Sequence, residues 1–218
     1  MKEISTSKCK EPSAALVRQA LEPYAIQPTD AQLRLIRQYT ETLLLWNQKV
    51  RLTAITETRE ILERHFGESM FAAQVVPLCQ GRLADVGSGA GFPGLALKIA
   101  CPRLDVVLIE ANQKKAAFLA EVRRRLRLER VKIVCKRVEE LHVLPGFADF
   151  VSARALGGFP RLLRWSREAL SAGGRLLLWL GVDDASKVAK TGGWAWGEAI
   201  TIPNSRRRVL LIGQRKSD

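Results

Sequence analysis

The stretch Leu83–Gly94, LADVGSGAGFPG, constrains this chain more than any other. A short apolar run ends in Asp85, and Gly87, Gly89 and Gly91 follow at every second position. Helix-compatible residues come next: Leu95, Ala96, Leu97, Lys98 and Ile99. Strand, glycine turn, helix is the layout of a nucleotide-binding βαβ unit. Such glycines let the backbone turn sharply and let a ligand approach where a Cβ would clash. The helix that follows aims its free N–H groups at that ligand. A second apolar run, Leu104 to Ile109, ends in Glu110. That acid lies roughly 20 residues past the glycines, where these folds place a carboxylate on ribose hydroxyls.

The spacing narrows the ligand. A dehydrogenase loop reads G-x-G-x-x-G. Here it reads G-x-G-x-G, with Asp85 two positions before the first glycine. That form points to S-adenosylmethionine (AdoMet) rather than a dinucleotide. The competing reading is a loop that needs positive φ and holds no ligand.

The rest of the chain supports one α/β unit with a helical extension, divided at residues 1–76 and 77–218. Met1 to Glu11 is polar. Pro12 to Leu21 can form a short helix, and Pro28-Thr29-Asp30 is a helix start with Thr29 or Asp30 as cap. Leu33, Ile36, Thr40, Leu43 and Leu44 then recur at helical spacing to about Trp46. A second helical stretch covers about Arg59 to Val76. It carries Arg64, His65, Glu68 and Ser69; His65 reads either as a pH-sensitive or substrate-touching group or as a structural histidine. From Arg82 the pattern alternates. Strands are expected at Arg82–Val86, Leu104–Ile109, Val131–Cys135, Phe147–Ala153 and Arg175–Leu180, with a closing pair at Glu198–Ile202 and Arg208–Ile212. Helices are expected at Phe92–Ala100, Gln113–Leu128 and Phe159–Leu170, the last stopped by Gly173-Gly174. This alternation predicts a Rossmann-like, doubly wound, mostly parallel sheet of the class I AdoMet-dependent methyltransferase type. Ligands of such sheets sit outside the carboxyl ends of the strands. Gly87, Glu110, Arg137-Val138-Glu139 and Arg154 all follow strands there, so one shared crevice is expected.

Charge adds a partner. The 218 residues carry a formal net charge of +13, which suits a polyanion, RNA or DNA before an anionic membrane. The arginines cluster: Arg123, Arg124, Arg125, Arg127 and Arg130 near one helix end, Arg161, Arg164 and Arg167 along one helical face, and Arg206 to Arg208. Rows of this kind fit phosphate contacts, although arginines at a helix end also complement its dipole. No apolar run approaches the ~20 residues of a membrane span. The N-terminus lacks an apolar signal core. A cytoplasmic protein is expected. Cys9, Cys79, Cys101 and Cys135 show no C-x-x-C pairing, and the histidines are His65 and His142, so no metal site is expected.

These motifs resemble a known family, the bacterial small-subunit rRNA methyltransferases called RsmG, formerly glucose-inhibited division protein B. The resemblance covers almost the whole chain. It rests on Trp46-Asn47 with Leu52-Thr53-Ala54-Ile55, on Arg64-His65 with Ser69, and on the Asp85–Gly94 loop. It continues through Lys114 with Phe118-Leu119, Arg137-Val138-Glu139-Glu140 and Ala153-Arg154-Ala155. The resemblance implies methylation of a guanine N7 in 16S rRNA, or in the small ribosomal subunit, with AdoMet as donor. It implies cofactor contacts at Asp85, Gly87, Ser88, Gly89, Gly91 and Phe92, a ribose carboxylate at Glu110, and Val138 and Glu139 beside the adenine. Arg154 would be a site arginine near cofactor and target base, orienting or touching substrate, with no general base required. Phosphate contacts would come from Arg123, Arg124, Arg125, Arg127, Arg161 and Arg164. The chain departs from the family at Leu180, where Lys is usual before the glycine, at Glu68, where Asp is usual, and at Gly213, which replaces a lysine. The rival readings are an RNA-binding homologue with altered catalysis and an NAD-dependent oxidoreductase.

Overall fold

The computed structural model describes residues 11–142, 144–154 and 158–216. Most of the polar N-terminus, with Cys9, and Ala155 of the arginine motif therefore lie outside the described residues. α1 (Ala14–Leu21) starts at Ser13, whose hydroxyl accepts the Leu16 N–H. α2 (Asp30–Asn47) starts at Thr29 with a reciprocal cap: Gln32 N–H donates to the Thr29 hydroxyl, and Thr29 N–H donates to the Gln32 side chain. Such a pair satisfies two donors that the helix itself cannot. The next helical stretch is less regular than expected. α3 (Thr58–Glu60) leads into π-helical turns at Ile61–Gly67, then α4 (Glu68–Met70) and α5 (Ala72–Val75). Widened turns of this type often accompany functional sites.

The α/β part follows: β1 (Arg82–Val86), α6 (Gly94–Ala100), β2 (Asp105–Ile109), α7 (Gln113–Arg125), β3 (Val131–Val134), β4 (Ala148–Arg154), α8 (Phe159–Ala169), β5 (Leu170–Gly181), α9 (Val182–Val188), β6 (Trp194–Trp196), β7 (Ile200–Thr201) and β8 (Arg208–Arg215). The sheet order is β3-β2-β1-β4-β5-β8-β6, with β7 on β8. β1 to β5 pair in parallel, and β8 runs antiparallel to β5. The chain reverses direction across the sheet between β1 and β4, which opens a crevice at their carboxyl ends.

Alternation along each strand divides the core in two. Leu83, Val106, Leu108 and Phe150 point to one layer, shared with Val17, Ile36, Tyr39 and Phe66 of the N-terminal helices and Phe118 and Leu119 of α7. Ala84, Val107, Ile109, Val151 and Leu178 point to the other, under Leu162 and Leu163 of α8 and Ala185 and Val188 of α9. The N-terminal helices thus pack on the α6–α7 face. Asn47 holds them in register: its Oδ1 accepts the Leu52 and Thr53 N–H groups, and its Nδ2 donates to the Thr53 carbonyl. The Trp46-Asn47…Leu52-Thr53 motif is therefore a structural clasp.

Several boundaries differ from expectation. Gly173-Gly174 does not end a helix; α8 stops at Ala169 and the glycines lie inside the irregular start of β5, where Leu170 already pairs with Ala148. α7 ends at Arg125 because Arg127 turns to φ 50° and the Leu128 N–H then donates back to the Arg123 carbonyl. α9 and β6 were not anticipated, since short polar segments such as Val182–Val188 carry little periodicity.

Candidate functional site

Residues that follow the first three strands, and the last residue of β4, meet at one cavity of about 340 Å³. Gly87 and Gly89 come from the loop after β1, Glu110 and Ala111 follow β2, Val138 and Glu139 follow β3, and Arg154 ends β4. Arg161 and Leu162, on the first turn of α8, close one side. The shared crevice expected from the strand ends is present.

The loop is built for this place. Gly87 and Ser88 N–H groups donate to the Ile109 carbonyl, which binds the loop to the end of β2. Gly89 N–H donates to Glu110 Oε2 at 2.8 Å, and Asn112 N–H donates to Glu110 Oε1 at 2.8 Å. Glu110 therefore fixes the loop and still presents its carboxylate at the cavity wall. Gly91 has φ 85°, and a Cβ there would overlap the Tyr39 hydroxyl. That hydroxyl donates to the Ala90 carbonyl at 2.5 Å. The helix α2 thus sets the loop's shape from behind.

Asp85, Ser88, Gly91 and Phe92 are not among the residues that line the cavity. Each supports the loop instead. Phe92 lies between two rings, Tyr39 at 5.2 Å and His65 at 4.8 Å, both nearly parallel to it. Ser88 donates to the Asp85 carbonyl. Asp85 points toward the α6 layer, where its carboxylate accepts the Ser152 hydroxyl at 2.6 Å and the Gly94 N–H at 3.2 Å. Burial pushes its pKa up to about 6 despite those bonds. Folded Asp85 holds its proton to higher pH than the unfolded chain does. It contributes stability at low pH that is lost as pH rises from about 4 through about 6. Asp85→Asn removes that loss. The variant should gain ~3 kcal/mol on the native protein between pH 4 and pH 7. Urea unfolding at each pH measures this; a constant difference would mean that Asp85 titrates normally.

His65 takes the structural one of its two readings. Burial first, then Arg154, Arg64 and Arg208, lowers its pKa to about 3. The imidazole is neutral at physiological pH and shares a 2.9 Å hydrogen bond with the Thr53 hydroxyl. It is a packing residue rather than a pH switch.

Sequence reasoning missed the group behind Arg154. Glu68 is 1 % exposed. Its Oε2 lies 3.1 Å from Arg154, and its Oε1 lies 2.6 Å from Arg208 at the start of β8. Ser69 accepts a further bond from Arg154 at 3.4 Å. Trp179 of β5 donates to the Glu68 carbonyl at 2.7 Å. Burial raises the Glu68 pKa, and Arg154, Arg208 and Arg64 oppose that shift. The only sequence signal was an acid beside Ser69; nothing local pairs it with residues so far along the chain.

The arginine rows separate. Arg161 and Arg164 are exposed on α8 beside the cavity, with Arg161 3.6 Å from Glu139. Arg123, Arg124, Arg125 and Arg127 lie at the opposite end of the sheet, because α7 runs back from the end of β2 to the start of β3. Arg124 pairs with Glu121 and Arg125 with Glu41. The departures from the family pattern have packing reasons. Leu180 is 6 % exposed in the α8–α9 core. Gly213 lies under the Trp196 ring, which a Cβ would meet at 2.5 Å.

Comparison with known proteins adds the following. The family model described as rRNA small subunit methyltransferase G (GidB) matches residues 32–192. Ribosomal RNA small subunit methyltransferase G of Roseiflexus castenholzii is 38 % identical over 192 residues, covering 83 % of this chain and 82 % of its own. The Leuconostoc mesenteroides protein of the same name is 34 % identical over 213 residues, covering 91 % and 89 %. In fold, the chain resembles a SAM-dependent methyltransferase from Aquifex aeolicus, with TM-score 0.60 at 14 % identity, covering 71 % of this chain and 92 % of that one. A putative S-adenosyl-L-methionine-dependent methyltransferase from Methanococcus maripaludis gives 0.59 at 14 % identity, covering 73 % and 90 %.

Proposed function

Since this chain belongs to the rRNA small subunit methyltransferase G family, we propose that it transfers a methyl group from AdoMet to N7 of a guanine in 16S rRNA. The observation that carries the reading is the single cavity walled by Gly87, Gly89, Glu110, Val138, Glu139 and Arg154. Its chemistry suits AdoMet. Glu110 offers acceptor lone pairs to ribose hydroxyls, and side-chain-free Gly87 and Gly89 leave room beside the loop. Ala111, Val138 and Leu162 give an apolar slot for the adenine, and Glu139 lies at its edge. Asp85, Ser88, Gly91 and Phe92 hold that wall in shape.

Bound AdoMet supplies an electrophilic methyl group on a cationic sulfur. Guanine N7 carries a free lone pair and no proton, so the chain needs no general base, in keeping with neutral, half-buried His65. What the residues do is align the nucleophile and exclude water. Arg154 contributes orientation or a contact to a phosphate or carbonyl oxygen, held by Glu68 and Ser69. A base in ribosomal RNA must be splayed out of its stack to enter a cavity of this size. Arg161 and Arg164 are placed to meet the phosphates on either side, and Arg123, Arg124, Arg125 and Arg127 give sequence-independent contact farther away. An enzyme with this substrate works in the cytoplasm, where ribosomes assemble.

The test is methyl transfer from radiolabelled AdoMet to small subunits that lack the modification, followed by mapping of the labelled nucleotide. Label on one guanine, lost when its N7 is replaced by carbon, is the expected result. Tight RNA binding without transfer would favour the altered RNA-binding homologue instead.

A further inference from the structure

A second groove is larger than the cofactor cavity. It measures about 860 Å³ and lies on the α8 face of the sheet, over β2 and β3. It exists because β3 and β4 are joined by a short 3₁₀ turn, Val138–Glu140, and a loop, with no helix among the described residues to cover those strands. Val107, Ile109 and Val134 form an apolar floor, and Leu141 and Phe147 form the wall toward α8.

The charges on this surface are unbalanced. Lys132 sits opposite Val107 in the parallel register, so alternation points it out of the apolar floor. Arg82 and Arg130 stand at the amino ends of the strands, and Lys136 at the carboxyl end. The acid in the groove is Asp105, 3.7 Å from Arg130. Lys132 and Lys136 have no acidic partner among the described residues. Arg82 lies over the Phe147 ring, 5.5 Å from its centroid.

The groove adjoins the cofactor cavity, since Ile109 and Lys136 line both. From there it runs the length of the strands, about 15 Å at ~3.3 Å per residue, and ends beside Arg130. It therefore leads from beside the cofactor cavity to Arg130 at the amino end of the strands.

We propose that this groove seats a single-stranded segment of the RNA substrate flanking the methylated nucleotide. The inference rests on the rRNA reading above. Cations along an apolar floor with one aromatic wall residue are what a single strand needs: phosphates meet the lysines and arginines while unpaired bases cover apolar side chains. A duplex keeps its bases stacked inside and could not use that floor. An acidic peptide is the competing occupant, but a route that starts at the reaction mouth favours the substrate's own chain.

Lys132 is exposed and stands outside the cofactor cavity, so it isolates the groove. Lys132→Met and Lys132→Glu should leave AdoMet affinity by calorimetry unchanged. Lys132→Met should lower the slope of log K against log[salt], for a fluorescein-labelled twelve-nucleotide unstructured RNA, by about 0.7, one single-strand phosphate contact. Lys132→Glu should raise KM for unmodified small subunits about tenfold with little change in kcat. Unchanged salt slope and KM would overturn the proposal. So would unchanged RNA affinity with loss of binding to an acidic decapeptide, which would assign the groove to a protein. A native protein that transfers no methyl to any rRNA would refute the functional reading instead, and the oligonucleotide titration would still judge the groove.

Discussion

Glu68→Ala should cost the protein about 3–5 kcal/mol of stability, the usual penalty for removing one partner of a buried charge pair. For a chain of this size that is a fall of roughly 6–20 °C in melting temperature. The cost does not come from losing a strong attraction, since burying ions offsets much of the Coulomb gain. It comes from what is left behind. Arg154 has a side chain only 14 % exposed, and Arg208 is 32 % exposed; both face the one carboxylate. Without it two guanidinium groups repel each other where water reaches them poorly. Arg154 is also the residue that ends β4 at the cavity, so methyl transfer should fall with stability. Glu68→Asp separates the effects: it keeps the charge, is the residue usual in the family, and should retain most of both. Chemical unfolding and the transfer assay measure the pair. A Glu68→Ala protein as stable as the native one would show that Arg154 and Arg208 do not depend on this acid.

The second large effect is expected at Glu110. Glu110→Ala should weaken AdoMet binding about 100-fold, or ~3 kcal/mol, from two lost hydrogen bonds to a charged acceptor. The carboxylate has two duties. It accepts the Gly89 and Asn112 N–H groups, which holds the glycine loop against the end of β2. It also faces the cavity with acceptor capacity to spare. Glu110→Gln keeps one acceptor and the shape, and should lose about tenfold. Glu110 is 8 % exposed and sits at the wall rather than in the core. Its removal should therefore change stability far less than Glu68→Ala. Calorimetric titration with AdoMet decides the matter; unchanged affinity in Glu110→Ala would remove this residue from the site.

Much of the fold was legible because its signals are local. Thr29 with Gln32, the apolar runs at Leu83–Val86 and Val106–Ile109, and Gly87 with Gly89 all act within a few residues, and each formed the element it announces. Gly173-Gly174 misled for the same reason. A glycine pair is a helix stop in isolation, yet pairing of Leu170 with Ala148 began the strand earlier. In the site, Gly87, Glu110, Val138, Glu139 and Arg154 were readable because strand-end position implies the crevice. Asp85, Ser88, Gly91 and Phe92 share the same motif, and only packing shows how they brace the loop.

What the sequence determined by itself was periodicity, punctuation and the order of strands and helices. From these follow the parallel sheet, the crevice and the acid beyond the second strand, because hydrogen bonding and side-chain alternation are set by near neighbours. Only the tertiary structure decided which charges meet. Glu68, Arg154 and Arg208 come from three distant stretches. The α7 arginines face the far end of the sheet, and β2 and β3 are left without a helix over one face. Coulomb forces and burial act through space, and space between distant residues is fixed only when the chain has closed on itself.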